Sequence, residues 1–301
     1  TGWGEAAPNQ RYEENAPGVE KFLRQLAPND TLLIDTCQEL EELISSTPGY
    51  SASGAAAVEM AWWDWYGKIR NEPLWRLWKS ENPTGSVSSF TIGLDDPAII
   101  QKKVLEAKKF PILKVKLGGG NDREIIRAIR EVTGKPLRVD ANEGWTSIEE
   151  ATGMLDWLAG QYIELVEQPM PSSMDREMAH LKKKSSIPLI ADESFLSDES
   201  LKDLKVGFHG INIKLMKIGG LRKARQKLIE ARDLGLKVMI GCMIESSLAN
   251  TAGAMLGIEA DYVDLDGHLL IEEDPFEGLV LNEENRITLP DRAGLGVIPR
   301  K

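Results

Sequence analysis

Histidine and cysteine are scarce in this chain. Its 301 residues hold three histidines, His180, His209 and His268, and two cysteines, Cys37 and Cys242. The histidines show no zinc-ligand spacing. The cysteines lie far apart and suit a reducing compartment better than a disulfide framework, so a cytoplasmic location is expected. No apolar run is long enough to span a membrane. There is no low-complexity segment and no internal repeat. Positive charge is in the minority, with 36 Lys+Arg against 47 Asp+Glu and a net charge of −11. An acidic chain without a basic cluster is a poor nucleic-acid binder. The chain opens at Thr1-Gly2-Trp3, without methionine or a signal-like segment, as a fragment or a processed form would. What remains is ordinary globular composition, 42% hydrophobic and 28% charged, with length enough for a large core.

The first part, to about residue 86, reads helical, with expected helices at 18–26, 37–45 and 55–70. The last carries Trp62, Trp63 and Trp65, and Trp75 and Trp78 follow. A tryptophan stripe at helical spacing reads as core packing before it reads as a ligand platform. From residue 87 short apolar runs alternate with amphipathic stretches. The runs cover 87–94, 112–117, 137–142, 162–168, 188–193, 211–216, 237–243 and 262–268. Helical patterns lie between them at 122–132, 147–158, 221–234 and 246–256. Strands separated by helices imply parallel pairing with right-handed crossovers, and eight is the count that closes a β/α barrel. No clear room remains for a final helix. The tail from 273 to 301 is expected to pack back on the N-terminal part.

The second run, "ILKVKLGG" from Ile112 to Gly119, carries Lys114 and Lys116 two residues apart. In a strand both point to one face, and a buried lysine is costly unless paired. The other strand ends are charged too. Asp140 ends "RVD", Glu167 ends "LVE", Asp192 ends "IAD" and Lys214 ends "INIK". Glu245 follows the seventh strand, and Asp264 and Asp266 sit on the eighth. One charged strand end is ordinary solvation. Charges on seven consecutive strands imply a shared cavity, because barrel enzymes place their chemistry at the C-terminal ends of the strands.

Residue type suggests the chemistry. Asp140, Glu167 and Asp192 come from three adjacent strands, and three hard oxygen ligands at one point suit Mg²⁺. Without a cation they would repel one another, or they would form an ion-pair network with the lysines. Lys116 and Lys214 would flank this point and face each other across the mouth. That arrangement suits proton abstraction from either face of a carbon.

These motifs resemble the enolase superfamily in its muconate-lactonizing subgroup, whose sites use a Lys or His base with Mg²⁺. The matching residues are K-x-K at Lys114 and Lys116, "DAN", "EQP", "DES" and "NIK" with Lys214. "GWGEAAP" at Gly2–Pro8 is similar to the family's capping-domain segment, and "GLGV" at Gly294–Val297 to its closing segment. The resemblance implies a modified TIM barrel, (β/α)7β, over 87–272, with an α+β capping domain over 1–86 completed by the tail 273–301. The family's cap begins with antiparallel strands, and none precedes "GWGE" here. Asp264-Leu265-Asp266 is similar to the D-x-D of dipeptide epimerases, where it meets the substrate ammonium.

The implied activity is a Mg²⁺-dependent epimerisation of the C-terminal residue of an L-aminoacyl dipeptide, with Lys116 and Lys214 exchanging the α-proton. Asp140, Glu167 and Asp192 would hold the metal. Lys114 would tune Lys116 and help hold the substrate carboxylate. Asp264 and Asp266 would bind the amino terminus, and Ile244 and Glu245 would line the pocket near the N-terminal residue. L-Ala-D/L-Glu from peptidoglycan turnover is the first substrate the resemblance suggests. The expected partners are a small dipeptide and further copies of the chain, with no nucleic acid and no membrane. The rivals are o-succinylbenzoate synthase or N-acyl amino acid racemase activity on the same site, a Schiff-base aldolase using Lys116 or Lys214, and a non-catalytic scaffold.

Overall fold

The computed structural model describes residues 1–26, 34 and 36–301. A 3-10 turn at Gln10–Tyr12 leads into helices α1 (Ala16–Leu26), α2 (Cys37–Ser46), α3 (Ala52–Arg70) and α4 (Leu74–Leu77). A capping box starts α2. The Thr36 hydroxyl accepts from the Glu39 amide at 3.2 Å, and the Glu39 carboxylate accepts from the Thr36 amide at 3.1 Å. Small residues open α3, where Ser53, Gly54, Ala55, Ala56 and Ala57 are all buried. A Cβ on Gly54 would stand 2.7 Å from the Phe22 ring, so glycine lets α1 dock there. Trp62 packs in this smaller core with Phe22, Leu40 and Ile44, its ring stacked on Tyr66 at 4.9 Å. The tryptophan stripe is thus core, as its spacing suggested.

After β1 (Thr84–Val87) come eight parallel strands in sequential order. They are β2 (Phe90–Ile92), β3 (Leu113–Lys116), β4 (Leu137–Asp140), β5 (Ile163–Glu167), β6 (Leu189–Ala191), β7 (Gly210–Ile213), β8 (Lys237–Gly241) and β9 (Tyr262–Asp264). The Ser88–Val263 bridge and the Ser89 amide donating to the Val263 carbonyl at 3.1 Å bring β9 back beside β2. The crossovers carry α5 (Pro97–Glu106), α6 (Asp122–Val132), α7 (Ile148–Leu158), α8 (Asp175–Lys184) and α9 (Leu201–Gly207). The last two crossovers carry α10 (Leu215–Ile218) with α11 (Leu221–Asp233), and α12 (Ser247–Gly257). A 3-10 turn, Gly267–Leu269, follows β9 in place of an eighth helix. The barrel is therefore (β/α)7β. Its strands are short apolar runs because helices cover the outer face and side chains fill the interior. In β3, Leu113 and Val115 enter the main hydrophobic core, leaving Lys114 and Lys116 for the other face.

The tail forms β10 (Phe276–Glu277), β11 (Val280–Leu281), β12 (Arg286–Thr288) and β13 (Ile298–Pro299). β12 pairs with both β1 and β11, and β10 pairs with β13. The Leu74 amide donates to the Gly294 carbonyl at 2.8 Å, and the Trp75 indole to the Pro290 carbonyl at 3.2 Å. We propose a division into a cap over 1–86, a barrel over 87–272 and a tail over 273–301 that returns to the cap. Among the described residues no helix is long and apolar enough to cross a membrane. Both cysteines are free.

Candidate active site

Barrel order sets the geometry. β3 and β7 are four strands apart in a ring of eight, and so are β5 and β9. Charges at the ends of these strands therefore lie on two crossing diameters of the barrel mouth. Lys116 on β3 and Lys214 just after β7 occupy one diameter. The other has Asp140, Glu167 and Asp192 around β5 on one side, and Asp264 and Asp266 at β9 on the other. A cavity of about 590 Å³ opens between them, lined by Lys114, Lys116, Asp192, Lys214, Asp264 and Asp266. Its rim includes Arg11 and Tyr12 from the N-terminal segment and Met243, Ile244 and Leu270 from the barrel loops.

Asp140 and Glu167 lie beneath this wall, fully buried. Register sets them side by side, Asp140 opposite Glu167 in the β4–β5 ladder. Lys114 reaches both, with its ammonium 3.1 Å from Asp140, 2.7 Å from Glu167 and 2.8 Å from Asp264. Lys116 stands 2.7 Å from the same Asp140 oxygen that Lys114 approaches, and it also donates to Asn142 at 2.9 Å. Lys214 donates to Asp192 at 2.7 Å. Lys217, wholly buried, donates to the other Asp192 oxygen and to its carbonyl.

These contacts set the titration of the cluster. Burial resists charge on Asp140, but Lys114 and Lys116 outweigh it and hold its pKa down at about 2. Glu167 goes the other way. Burial and the charge of Asp140 push it up to about 7, because Lys114 is shared among three carboxylates. Burial opposes charge on Lys214 as well, yet Asp192 and Glu167 outweigh it and hold the ammonium above the ordinary lysine range. Asp266 is raised to about 6 by burial and the neighbouring Asp264.

The donor set suits a hard divalent cation, with three buried carboxylates on adjacent strand ends. Glu167 Oε2 meets the Lys114 ammonium at 2.7 Å, and it shares that one counter-charge with Asp140 and Asp264. A bound cation would supply the charge that Lys114 alone divides among three carboxylates. As placed, the lysines take up the carboxylates, and among the described residues no three His, Cys, Asp or Glu side chains converge as a finished metal cage. A cation here would compete with Lys116 and Lys214 for oxygens of Asp140 and Asp192.

The outer residues differ from expectation in two respects. Ile244 is on the cavity rim and 68% exposed, but Glu245 is not on the wall. Its carboxyl is buried, accepts among the described residues only from the Met243 amide at 3.3 Å, and is raised to about 8 by burial and by Glu5. Burial there favours the neutral, protonated carboxyl. Asp264 is also less available than its place in D-x-D suggested, since Lys114 and the Ser89 hydroxyl occupy its two oxygens. Asp266 accepts on one oxygen from the Thr91 amide at 2.6 Å and, among the described residues, the other oxygen has a long 4.0 Å contact from Cys242.

Several residues that the charge pattern did not single out support the site. Asn212 donates to Glu167 at 2.7 Å. The Gln168 side chain accepts from the Asp192 amide at 3.0 Å and from the Ser194 amide at 3.1 Å, fixing that loop. Asn142 and Gln168 have φ of 43° and 35°, conformations that non-glycine residues adopt at a cost. Each lies within two residues of a charged residue in "DAN", "EQP" or "NIK", and that spacing was the signal available.

A barrel with opposed lysines over buried carboxylates defines a class of enzymes that move protons next to a carboxylate. The enolase C-terminal domain-like family model matches residues 100–301, and the chain belongs to that family. It is 40% identical over 303 residues to the L-Ala-D/L-Glu epimerase of Bacteroides thetaiotaomicron, covering 99% of this chain and 78% of that protein. It is 37% identical to the L-Ala-D/L-amino acid epimerase of Pedosphaera parvula, covering 98% and 87%. In structure it is similar to the dipeptide epimerase from Cytophaga hutchinsonii complexed with Mg and dipeptide D-Ala-L-Val. That match has a TM-score of 0.89 at 27% identity and covers 100% of this chain and 85% of that one.

Proposed function

We propose that this chain is a Mg²⁺-dependent dipeptide epimerase that inverts the α-carbon of the C-terminal residue of an L-aminoacyl dipeptide. The observation that carries the reading is the crossing of two diameters at one cavity. A dipeptide laid along β5–β9 puts its carboxylate toward the buried acids and its ammonium toward Asp266. Its α-carbon then falls between Lys116 and Lys214.

Asp140, Glu167 and Asp192 would hold the ion. When bound, Mg²⁺ supplies charge stabilisation at the substrate carboxylate as the α-proton leaves. The rest belongs to the chain. One lysine, as the neutral amine, takes the α-proton, and the C–H electron pair moves into the carboxylate. The opposite lysine, as ammonium, delivers its proton to the other face of the carbon. Each lysine ends in the state the other began in, so no net proton is gained or lost. Lys114 stays charged among three carboxylates and orders Asp140, Glu167 and Asp264.

L-Ala-L-Glu is the first substrate to test, which would place the enzyme in the turnover of peptidoglycan fragments in the cytoplasm. The names of the relatives support that choice, and a hydrophobic series is the second set. Self-assembly is carried by family resemblance alone and is read by light scattering. In D₂O with Mg²⁺, the dipeptide should exchange its α-proton and change configuration. Lys116→Ala and Lys214→Ala should each abolish inversion while leaving exchange from one configuration only. Inversion at the normal rate in either variant defeats the two-base reading.

A further inference from the structure

The two lysines are not held alike. Among the described residues Lys214 and its partner Asp192 receive no hydrogen bond from the N-terminal segment, which meets that side through the Tyr12 ring, 5.8 Å from the Lys217 ammonium. Lys116 is the end of a chain of contacts that begins there. Arg11 sits in the 3-10 turn at the cavity rim, and its Nε is 3.3 Å from Glu193 Oε1. The same Glu193 oxygen accepts from Asn142 Nδ2 at 3.1 Å, and Asn142 Oδ1 accepts from Lys116 Nζ at 2.9 Å.

We propose that Arg11 is a positioning residue for Lys116, acting through Glu193 and Asn142, so that seating of the N-terminal segment aims Lys116 through a relay that Lys214 lacks. The proposal rests on the two-base reading above. Asn142 is fixed at its backbone, where its amide donates to Asp140 at 3.0 Å and its φ is 43°. Only the side-chain torsions are free, and Glu193 and Lys116 hold the two ends of the amide. Glu193 is buried beside Asp192 and Asp140, both negative, and its second oxygen has no partner among the described residues. Arg11 is the cation that offsets this repulsion from the rim. It also pairs with Glu143 and donates to the Asn142 carbonyl at 3.3 Å, so one guanidinium grips the loop after β4 at two further points. Without it, Glu193 has reason to turn, and Asn142 loses the contact that orients its amide. A misplacement of order 1 Å at a reacting group can cost about a hundredfold in rate.

The test measures deuterium wash-in and inversion for each epimer of L-Ala-Glu, in wild type, Lys116→Ala, Lys214→Ala, Arg11→Gln and Asn142→Ala. The two lysine variants assign which epimer presents its proton to which lysine. Arg11→Gln and Asn142→Ala should then follow the Lys116→Ala pattern in weaker form. Exchange of the Lys116-facing epimer should fall about tenfold to a hundredfold, with exchange of the other within about threefold of wild type. The double variant should be no worse than the poorer single, since both cut one relay. Far-ultraviolet circular dichroism and Mg²⁺ binding by calorimetry show whether each variant is folded and loaded. Equal losses on both epimers, or a loss on the Lys214 side, overturn the proposal, as does an additive double variant. A wild type that exchanges neither epimer overturns the two-base reading itself, and the proposal with it.

Discussion

Asp264 and Asp266 stand two residues apart, and burial gives them different partners. Asp264 neutralises Lys114 and takes the Ser89 hydroxyl, so its charge is spent inside the barrel. Asp266, on the cavity wall, keeps one oxygen whose hydrogen-bond contact among the described residues is the long one from Cys242. Asp266→Asn should therefore raise KM for a dipeptide by about tenfold to a hundredfold with kcat little changed, the size of one charge-assisted hydrogen bond. A substrate with an acylated amino group should be indifferent to it. Asp264→Asn should act on kcat, because Lys114 loses one of its three carboxylates. Steady-state kinetics on both substrates separate the roles, and equal KM effects from the two variants would remove the distinction. Only the shared face of the two aspartates was legible beforehand. Which one is occupied depends on Lys114 and Ser89, from strands far away in sequence. Likewise, nothing local in "NQRY" marks Arg11 or Tyr12, which join the site only once the segment lies across the mouth.

The strands were the legible elements. A strand buried on both faces writes an apolar run, and seven of the eight expected runs contain the observed strand, the run at 211–216 starting one residue later than β7. The runs extend past the hydrogen-bonded residues at their C-terminal ends, where Asp192, Lys214 and Asp266 sit beyond β6, β7 and β9. Helices with a broad apolar stripe were equally plain, as in α6 with Ile125, Ile126 and Ile129 buried. Those that bury little were not. α8 is "DREMAHLKKK" and buries only Met178 and Leu181, and α9 spans Leu201–Gly207. The contact between α3 and α11 was also invisible, and it carries a pH dependence. Glu59 on α3 accepts from the Arg222 amide of α11 at 2.7 Å and from the Trp63 indole at 3.0 Å, with Cys37, Glu41 and Arg222 around it. Burial pushes its pKa from 4.5 up to about 7. With the folded value above the unfolded one, its stabilising contribution is complete below about pH 4.5 and is lost as pH rises through about 7. Glu59→Gln keeps the two acceptor contacts and removes the charge. It should stabilise the fold at pH 8 by about 1–3 kcal/mol and have little effect at pH 4.5. Urea melts at both pH values check this, and an equal effect at the two would show that Glu59 is not the titrating group.

At the scale of the whole molecule, the "GWGE" and "GLGV" segments meet at one buried carboxylate. Asp64, 0% exposed on α3, accepts from the Trp3 amide at 2.9 Å and from the Leu295 amide at 3.0 Å. Lys68, one turn on, supplies its counter-charge at 2.5 Å. The glycines in the two end motifs have a reason here. A Cβ on Gly2 or Gly4 would lie 1.8 Å from a carbonyl oxygen of α3, that of Ala61 or Ala57, and Gly294 has φ 74° with its Cβ site 2.4 Å from Asp64. "GWGE" and "GLGV" were legible as family segments. That they close on the same aspartate was not, because neither stretch is charged where it meets the partner. Asp64→Ala would strand two backbone amides and leave Lys68 unpaired. Each buried donor left unsatisfied costs about 1–3 kcal/mol, and Lys68, being partly exposed, adds less. A loss of about 2–4 kcal/mol in unfolding free energy is expected, with Asp64→Asn costing roughly half. The segment that holds Trp3 also carries Arg11, so loosening it should also reach the mouth. In a folded Asp64→Asn variant, exchange of the Lys116-facing epimer should fall more than that of the other. Urea unfolding and the two-epimer exchange assay measure the two effects on one protein. A destabilised variant with symmetrical exchange would mean that the grip of Arg11 on Glu193 and Glu143 holds the segment without help from Asp64.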